Sequence, residues 1–159
     1  MFVPTLIFEM KLPKFRSWEL LTGSLTLKET AASAGIKFLA TSGCCGHQYS
    51  QSYLLPGRGC LPPSEAIAPK SWEIDTSPVY LPAVKGINGN FYPIKPFAVT
   101  VLGVTRSDLG LHQDTNVPGS AGCVVIRDKQ HWQILQERLQ RYASQGIKKL
   151  PLTVKYTIA

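Results

Sequence analysis

One stretch of this chain, residues 128–144, repeats its apolar residues at a helical stride, and no other segment does so at comparable length. Everywhere else, short apolar runs are cut by glycine and proline, of which the 159 residues hold 13 and 12. Glycine costs too much backbone entropy inside a helix, and proline lacks the N–H a helix needs. A chain punctuated this way is expected to fold as strands joined by turns, with one helix packed on them. A hydrophobic fraction of 44% against 17% charged residues suits a packed core, not a disordered tail or a membrane bundle. The length suits a single domain, 1–159, and no repeat or linker divides it.

The apolar first residues, "MFVPTLIFEMKLPKF", are broken by Pro4 and Glu9. They read as a first strand, neither a spanning helix nor a secretory signal. "SWELLTGSLTLKE" predicts a hairpin about Thr22-Gly23, and "GIKFLATSG" a buried strand ending at Gly43. "CCGHQYSQSYLLPGRGCLPPS" is loop, and "KSWEIDT" a half-buried strand. Asn88-Gly89-Asn90 marks the turn of a second hairpin. Residues 97–104 and 122–126 read as continuous buried strands, and "LPLTVKYTIA" as a closing strand. Asp128 caps the helix, Trp132, Leu135, Leu139 and Tyr142 form its buried stripe, and Gly146 stops it. His131 is expected to be solvated. Trp18 and Trp72 are expected in the core, with Trp72 alternatively lining a groove.

Seventeen Lys and Arg against ten Asp and Glu leave a charge of +7. That favours an anionic partner: nucleic acid, a membrane surface or an acidic cell wall. The cations are scattered, with a small concentration at Arg138, Arg141, Lys148 and Lys149. There is no aromatic-rich RNA motif, zinc-finger spacing or basic heptad, so nucleic acid is not the expected partner. Stable membrane insertion is not expected either.

The chemistry concentrates in "LGLHQDTNVPGSAGCVVI", residues 109–126. A cysteine at such a strand entry is core filling, a metal ligand, a disulfide half or a nucleophile. Cys44, Cys45, His47 and Cys60 lack the paired spacing of a zinc site, so no metal is expected. Either Cys44 or Cys45 can reach Cys60 for a disulfide, which leaves Cys123 free. A thiol needs a base to become a nucleophile at neutral pH, and His112 is the nearest in sequence. If the flanking strands are neighbours, His112 and Cys123 face each other across "QDTNVPGSAG", whose Asp114 and Asn116 are most simply turn formers. Gly119, Ser120, Ala121 and Gly122 let a substrate approach closely and offer backbone N–H groups to an oxyanion.

His112, Ser120, Gly122 and Cys123, followed by a hydrophobic strand, resemble the signature of the YkuD-type L,D-transpeptidases: a histidine, a variable loop, then Ser-His-Gly-Cys. Upstream, Thr41-Ser42-Gly43, Gly59, Pro62-Pro63 and Trp72-Glu73-Ile74 follow the family's order, closest to its compact branch with wall-attacking effectors. The resemblance spans roughly residues 38–140. It implies a β-sandwich or barrel with one helix at about 128–144, and a Cys123 thioester formed on a peptidoglycan stem tetrapeptide with His112 as base. It further implies Gln113 as the backbone third member of the triad and no cofactor. Ser120 would hydrogen-bond substrate or fix His112, and Gly122, Ala121 and Gly119 would serve the oxyanion and substrate, with Arg106, Arg127 or Asp114 standing in for missing groups. The site of action would be the periplasm or cell envelope, and an exported effector would have an immunity or inhibitor partner. Two departures stand out: Ala121 replaces the family's second histidine, and Val125 replaces a common arginine. The competing expectations are a non-catalytic wall-binding module and an NlpC- or papain-like peptidase. The peptidase is the weaker of these, because its cysteine precedes its histidine and opens a helix.

Overall fold

The computed structural model describes residues 3–68, 70–115 and 118–158. Its strands are β1 (Thr5–Leu12), β2 (Gly23–Lys28), β3 (Ile36–Cys44), β4 (Trp72–Asp75), β5 (Val79–Leu81), β6 (Gly89–Lys95), β7 (Ala98–Val101), β8 (Val104–Ser107), β9 (Gly110–Gln113), β10 (Gly119–Ile126) and β11 (Lys149–Ile158). The helix α1 covers Lys129–Ser144. Strands take 44% of the chain and helix 14%, so the protein is mostly β, as its punctuation requires.

Nine strands join in the order β4-β11-β1-β2-β3-β10-β9-β6-β5. A further pairing of β4 with β6 closes all but β5 into a barrel. Closure removes the free strand edges that would otherwise invite pairing with other chains. β1 with β11 and β9 with β10 are parallel. The pleat explains the burial along β1, where Leu6, Phe8, Met10 and Leu12 turn inward and the residues between them do not. These side chains join one continuous core with Leu25, Phe38, Trp72 and Leu111.

α1 begins where the Asp128 carboxylate accepts the Gln130 and His131 N–H groups. Its Trp132, Leu135, Leu139 and Tyr142 are buried, and the chain leaves the helix through Gly146 at φ +84°. Tyr142 and Arg138 both reach the Glu29 carboxylate, which ties the helix to the end of β2. His131 is half-buried, not simply solvated: its Nδ1 accepts the Leu39 N–H at 3.3 Å and its ring meets Phe38 edge-on.

Several expectations need correction. Residues 17–22 form no strand, so no hairpin turns at Thr22-Gly23, and β2 pairs with β1 and β3 instead. The buried Gln48 carboxamide explains this, because it takes both the N–H and the C=O of Leu21 (2.7 and 3.1 Å) out of any ladder. Trp18 is 74% exposed beneath the Arg16 guanidinium, while Trp72 is fully buried with its indole N–H on the Pro62 carbonyl. Residues 97–104 are not one strand. Leu102 and Gly103 both take positive φ and fold β7 back on β8 as a separate ribbon that buries only Val99 and Val101 of its first strand. β5 and β6 do form a hairpin, but residues 82–88 connect them, and Gly89-Asn90 already belongs to β6. Residues 45–63 run as irregular chain around a short 3-10 turn at Ser52–Leu54.

Candidate active site

β9 and β10 are adjacent and parallel, with Leu111, His112 and Gln113 in register with Val124, Val125 and Ile126. Cys123 lies two residues before the partner of His112, so strand spacing sets their Cα atoms roughly 8 Å apart. Val124 and Ile126 belong to the core, whereas Cys123 and Val125 stand outside it. The Cys123 and His112 side chains line a single cleft of about 420 Å³. Its other walls include Lys85, Gly86 and Ile87 from the β5–β6 connection, Phe91 of β6 and Asp108. Cys123 also borders a smaller hollow of about 210 Å³ beside Ser107 and Pro56.

The His112 ring is fixed on two counts. Its Nδ1 lies 2.8 Å from the Gln113 carbonyl, which can only accept, so Nδ1 carries the proton and Nε2 is left as the basic nitrogen. Its face stacks on Phe91, with centroids 6.1 Å apart and planes 29° from parallel. Gly110 makes room for that ring, since a Cβ there would lie 2.2 Å from the Phe91 Cζ. Burial lowers the proton affinity of His112 below the usual histidine value, against the opposing pull of the Gln113 carbonyl, Asp114 and the Gly86 backbone, which also lies within reach of the ring.

Cys123 is 9% exposed, and its thiol points 4.0 Å from the Asp108 carbonyl. Burial pushes it up to about 11, although the Gly110 N–H and the Arg106 guanidinium act in the other direction. The resting site therefore pairs a neutral imidazole with a neutral thiol, not an ion pair. Iodoacetamide is accordingly expected to alkylate Cys123 slowly in the empty protein. The rate should climb about tenfold per pH unit with no plateau below about pH 10. Peptide mapping of labelled protein reads this, and a plateau near neutrality would contradict it.

The segment before Cys123 is a bulge. The β3–β10 register breaks between Gly119 and Val124. Ser120 staples it: its hydroxyl donates to the Cys123 carbonyl at 2.6 Å and accepts the Gly122 and Gly43 N–H groups, each at 3.2 Å. The Gly119 N–H is taken by the Asp114 carboxylate at 3.0 Å. Two of the amides expected for an oxyanion, at Gly119 and Gly122, are thus already engaged. The Ala121 and Cys123 amides lie outside both ladders that flank the bulge, and Ala121 is exposed at the cleft.

Asp114 does not face the cleft. Its buried carboxylate also pairs with Arg127 at 3.0 Å and braces the loop that leads to Gly119. Asn116 lies outside the described residues. Arg106 is 2% exposed, and its guanidinium donates to four carbonyls: Tyr53 (2.5 Å), Cys60 (3.0 Å), Gly59 (3.1 Å) and Ala121 (3.2 Å). It is a strut beneath the bulge, with both terminal amino groups spent on backbone carbonyls. All four cysteines are free thiols. Cys44 also lines the cleft, Cys45 donates to the Trp18 carbonyl, and Cys60 is buried. Among the described residues no three His, Cys, Asp or Glu side chains gather as a metal site. No helix among them is long and apolar enough to cross a membrane.

Lys85, Phe91 and Asp108 carry no motif in the sequence; the pairing of β6 with β9 brings Phe91 and the β5–β6 connection to the cleft, and Asp108 enters it from the turn before β9. The chain matches no protein-family model, no curated protein and no solved structure.

Proposed function

We propose that this protein performs cysteine-dependent acyl transfer on peptidoglycan stem peptides, as an L,D-transpeptidase-like enzyme acting in the periplasm or cell envelope. The supporting observation is the placement of His112 and Cys123 on neighbouring parallel strands in one cleft, with the ring oriented by the Gln113 carbonyl. As the Cys123 sulfur attacks the donor carbonyl of a stem tetrapeptide, His112 Nε2 takes the thiol proton. The tetrahedral oxyanion turns toward the Ala121 and Cys123 amides. The same proton passes to the departing amine, the C–N bond breaks, and a terminal D-amino acid leaves behind a thioester. An incoming amine then gives a cross-link or an exchanged terminus, and water gives a shortened stem.

A neutral resting thiol fits this order of events, because proton transfer accompanies attack instead of preceding it. Lys85 and Asp108 place one cation and one anion on the walls of the cleft, suited to a donor residue that carries both a carboxylate and an amine. The net charge of +7 suits a polyanionic wall.

The second reading is a wall-binding module without chemistry, favoured by Ala121 in place of a histidine and by the burial of the thiol. Mass spectrometry of tetrapeptide muropeptides, incubated with and without a free D-amino acid, separates the two. Loss of the terminal residue, its exchange, or dimer formation supports the enzyme when Cys123→Ala abolishes it. Unchanged muropeptides that still bind the protein support the module.

A further inference from the structure

A second hollow, larger than the one that holds Cys123, lies elsewhere on the barrel. A groove of about 680 Å³ runs between α1 and the β4–β6 corner of the barrel. Gln133, Gln136 and Gln140 recur along one face of the helix and line it, opposite Asn90 and Tyr92 of β6. Glu137 is its single charged residue. Amide side chains both donate and accept, and here much of that capacity is unspent. Asn90 gives one N–H to Gln136 at 2.7 Å, which leaves the Asn90 oxygen and the Gln136 amino group unspent in that contact.

Tyr92 is the more telling residue. It is 3% exposed, packed edge-on against Trp132, and lines the groove. Its hydroxyl has no hydrogen-bond partner among the described residues, and burial alone accounts for its raised pKa. The hydroxyl is not sealed in the core, so its hydrogen-bonding capacity is open to the groove. A contiguous hollow, which shares Thr76, Ser77 and Ala143, carries the lysines Lys95, Lys148 and Lys149 beside Asp75. Tyr80, in register with Asn90 and 70% exposed, sets an aromatic ring beside the groove on the face Asn90 occupies.

We infer that this groove binds a neutral, polyhydroxylated ligand, a carbohydrate chain, at a site separate from the Cys123 cleft. Glutamines, an asparagine and a free phenol match hydroxyl groups that both give and take hydrogen bonds, and an exposed tyrosine matches the apolar face of a sugar ring. The groove has no lysine or arginine to hold an anion. β6 itself offers an extended peptide no edge, because it is paired with β5, β9 and β4, and the free edge of β5 is only three residues long, Val79–Leu81.

The site is tested by amide NMR shifts of the intact chain titrated with chitotetraose, cellotetraose and, separately, uncharged tetraalanine amide. Either sugar should shift amides of α1 and β6. Tyr92→Phe and the exposed Gln140→Ala should each weaken that binding by about fivefold, the worth of one hydrogen bond. Lys85→Met, in the other cleft, should not. Thermal melting checks that Tyr92→Phe remains folded, and Gln140→Ala tests the groove independently of that outcome. The inference is overturned if neither sugar shifts these amides, if the peptide does so instead, or if both groove variants bind as the parent does.

Discussion

Arg106→Met is expected to lower the unfolding free energy by about 4 kcal/mol, read as a shift of the urea midpoint. The size follows from what the side chain holds. Among the described residues its buried guanidinium has no carboxylate partner, and its terminal N–H groups go to the carbonyls of Tyr53, Gly59, Cys60 and Ala121. Methionine fills much of the volume but leaves those carbonyls facing an apolar side chain, and each charge-assisted bond lost counts for about 1.5–3 kcal/mol before relaxation. Arg106→Lys keeps the charge but not the planar fork, and should recover only part of the loss. The same strut explains Gly122. Its φ is +130°, and a Cβ there would lie 2.3 Å from the Arg106 Nη2, so any side chain at 122 collides with the group that holds the bulge. Arg106 thus acts on Cys123 through the backbone. A Met variant that keeps the parental midpoint would show that the four carbonyls find other partners.

The second large effect is kinetic. His112→Gln should reduce kcat/KM for release of the terminal D-amino acid by about 10²–10⁴, the usual worth of a positioned base, with Cys123→Ala removing turnover altogether. The pH profile separates a base from a structural prop. Burial holds the folded ring below the usual histidine value, so the ring stays neutral and able to accept a proton somewhat below pH 6.5. The acid limb of the parent should therefore lie on the acid side of about pH 6.5, the ordinary value for the side chain, and disappear in the variant. Stability moves the same way. Below about pH 6.5 an unfolded histidine takes up a proton that the folded ring resists. His112 thus costs nothing above that pH and draws the protein toward unfolding as pH falls to the folded value. His112→Gln should melt with a flatter dependence on pH over that window. A variant with unchanged kcat/KM, or an acid limb that survives in it, would remove His112 from the chemistry.

How much of this was legible in the sequence depends on how local each determinant is. The helix was, because its cap, stripe and stop are short-range patterns: Asp128, then Trp132 to Tyr142, then Gly146. β1, β3, β10 and β11 were too, since their pleat leaves alternating or continuous apolar runs. The hairpin at Thr22-Gly23 failed for a non-local reason, because the carboxamide of Gln48 occupies the backbone of Leu21. Trp18 failed likewise: an indole at the surface covered by Arg16 looks the same in sequence as one in the core. In the site, His112 and Cys123 could be paired by reasoning because few residues separate them. The engagement of the Gly119 and Gly122 amides, and the conversion of Arg106 into a strut, could not. The amides are taken by near neighbours, Asp114 and Ser120, but only the bulged path of the backbone aims those side chains at them. Arg106 becomes a strut through carbonyls about fifty residues away, at Tyr53, Gly59 and Cys60.

Strand β6 has one property whose effect reaches past either hollow. Asn90 and Tyr92 turn toward α1, while Phe91 between them turns the other way and supports the His112 ring. Three consecutive residues therefore serve two surfaces, back to back. Whatever tilts the strand from one side is felt as a tilt on the other, and thermodynamic reciprocity demands that the influence be equal in both directions. If the groove behind the sheet binds the inferred sugar, the imidazole in front of it shares a pleat with that ligand, and the two are joined through a single strand.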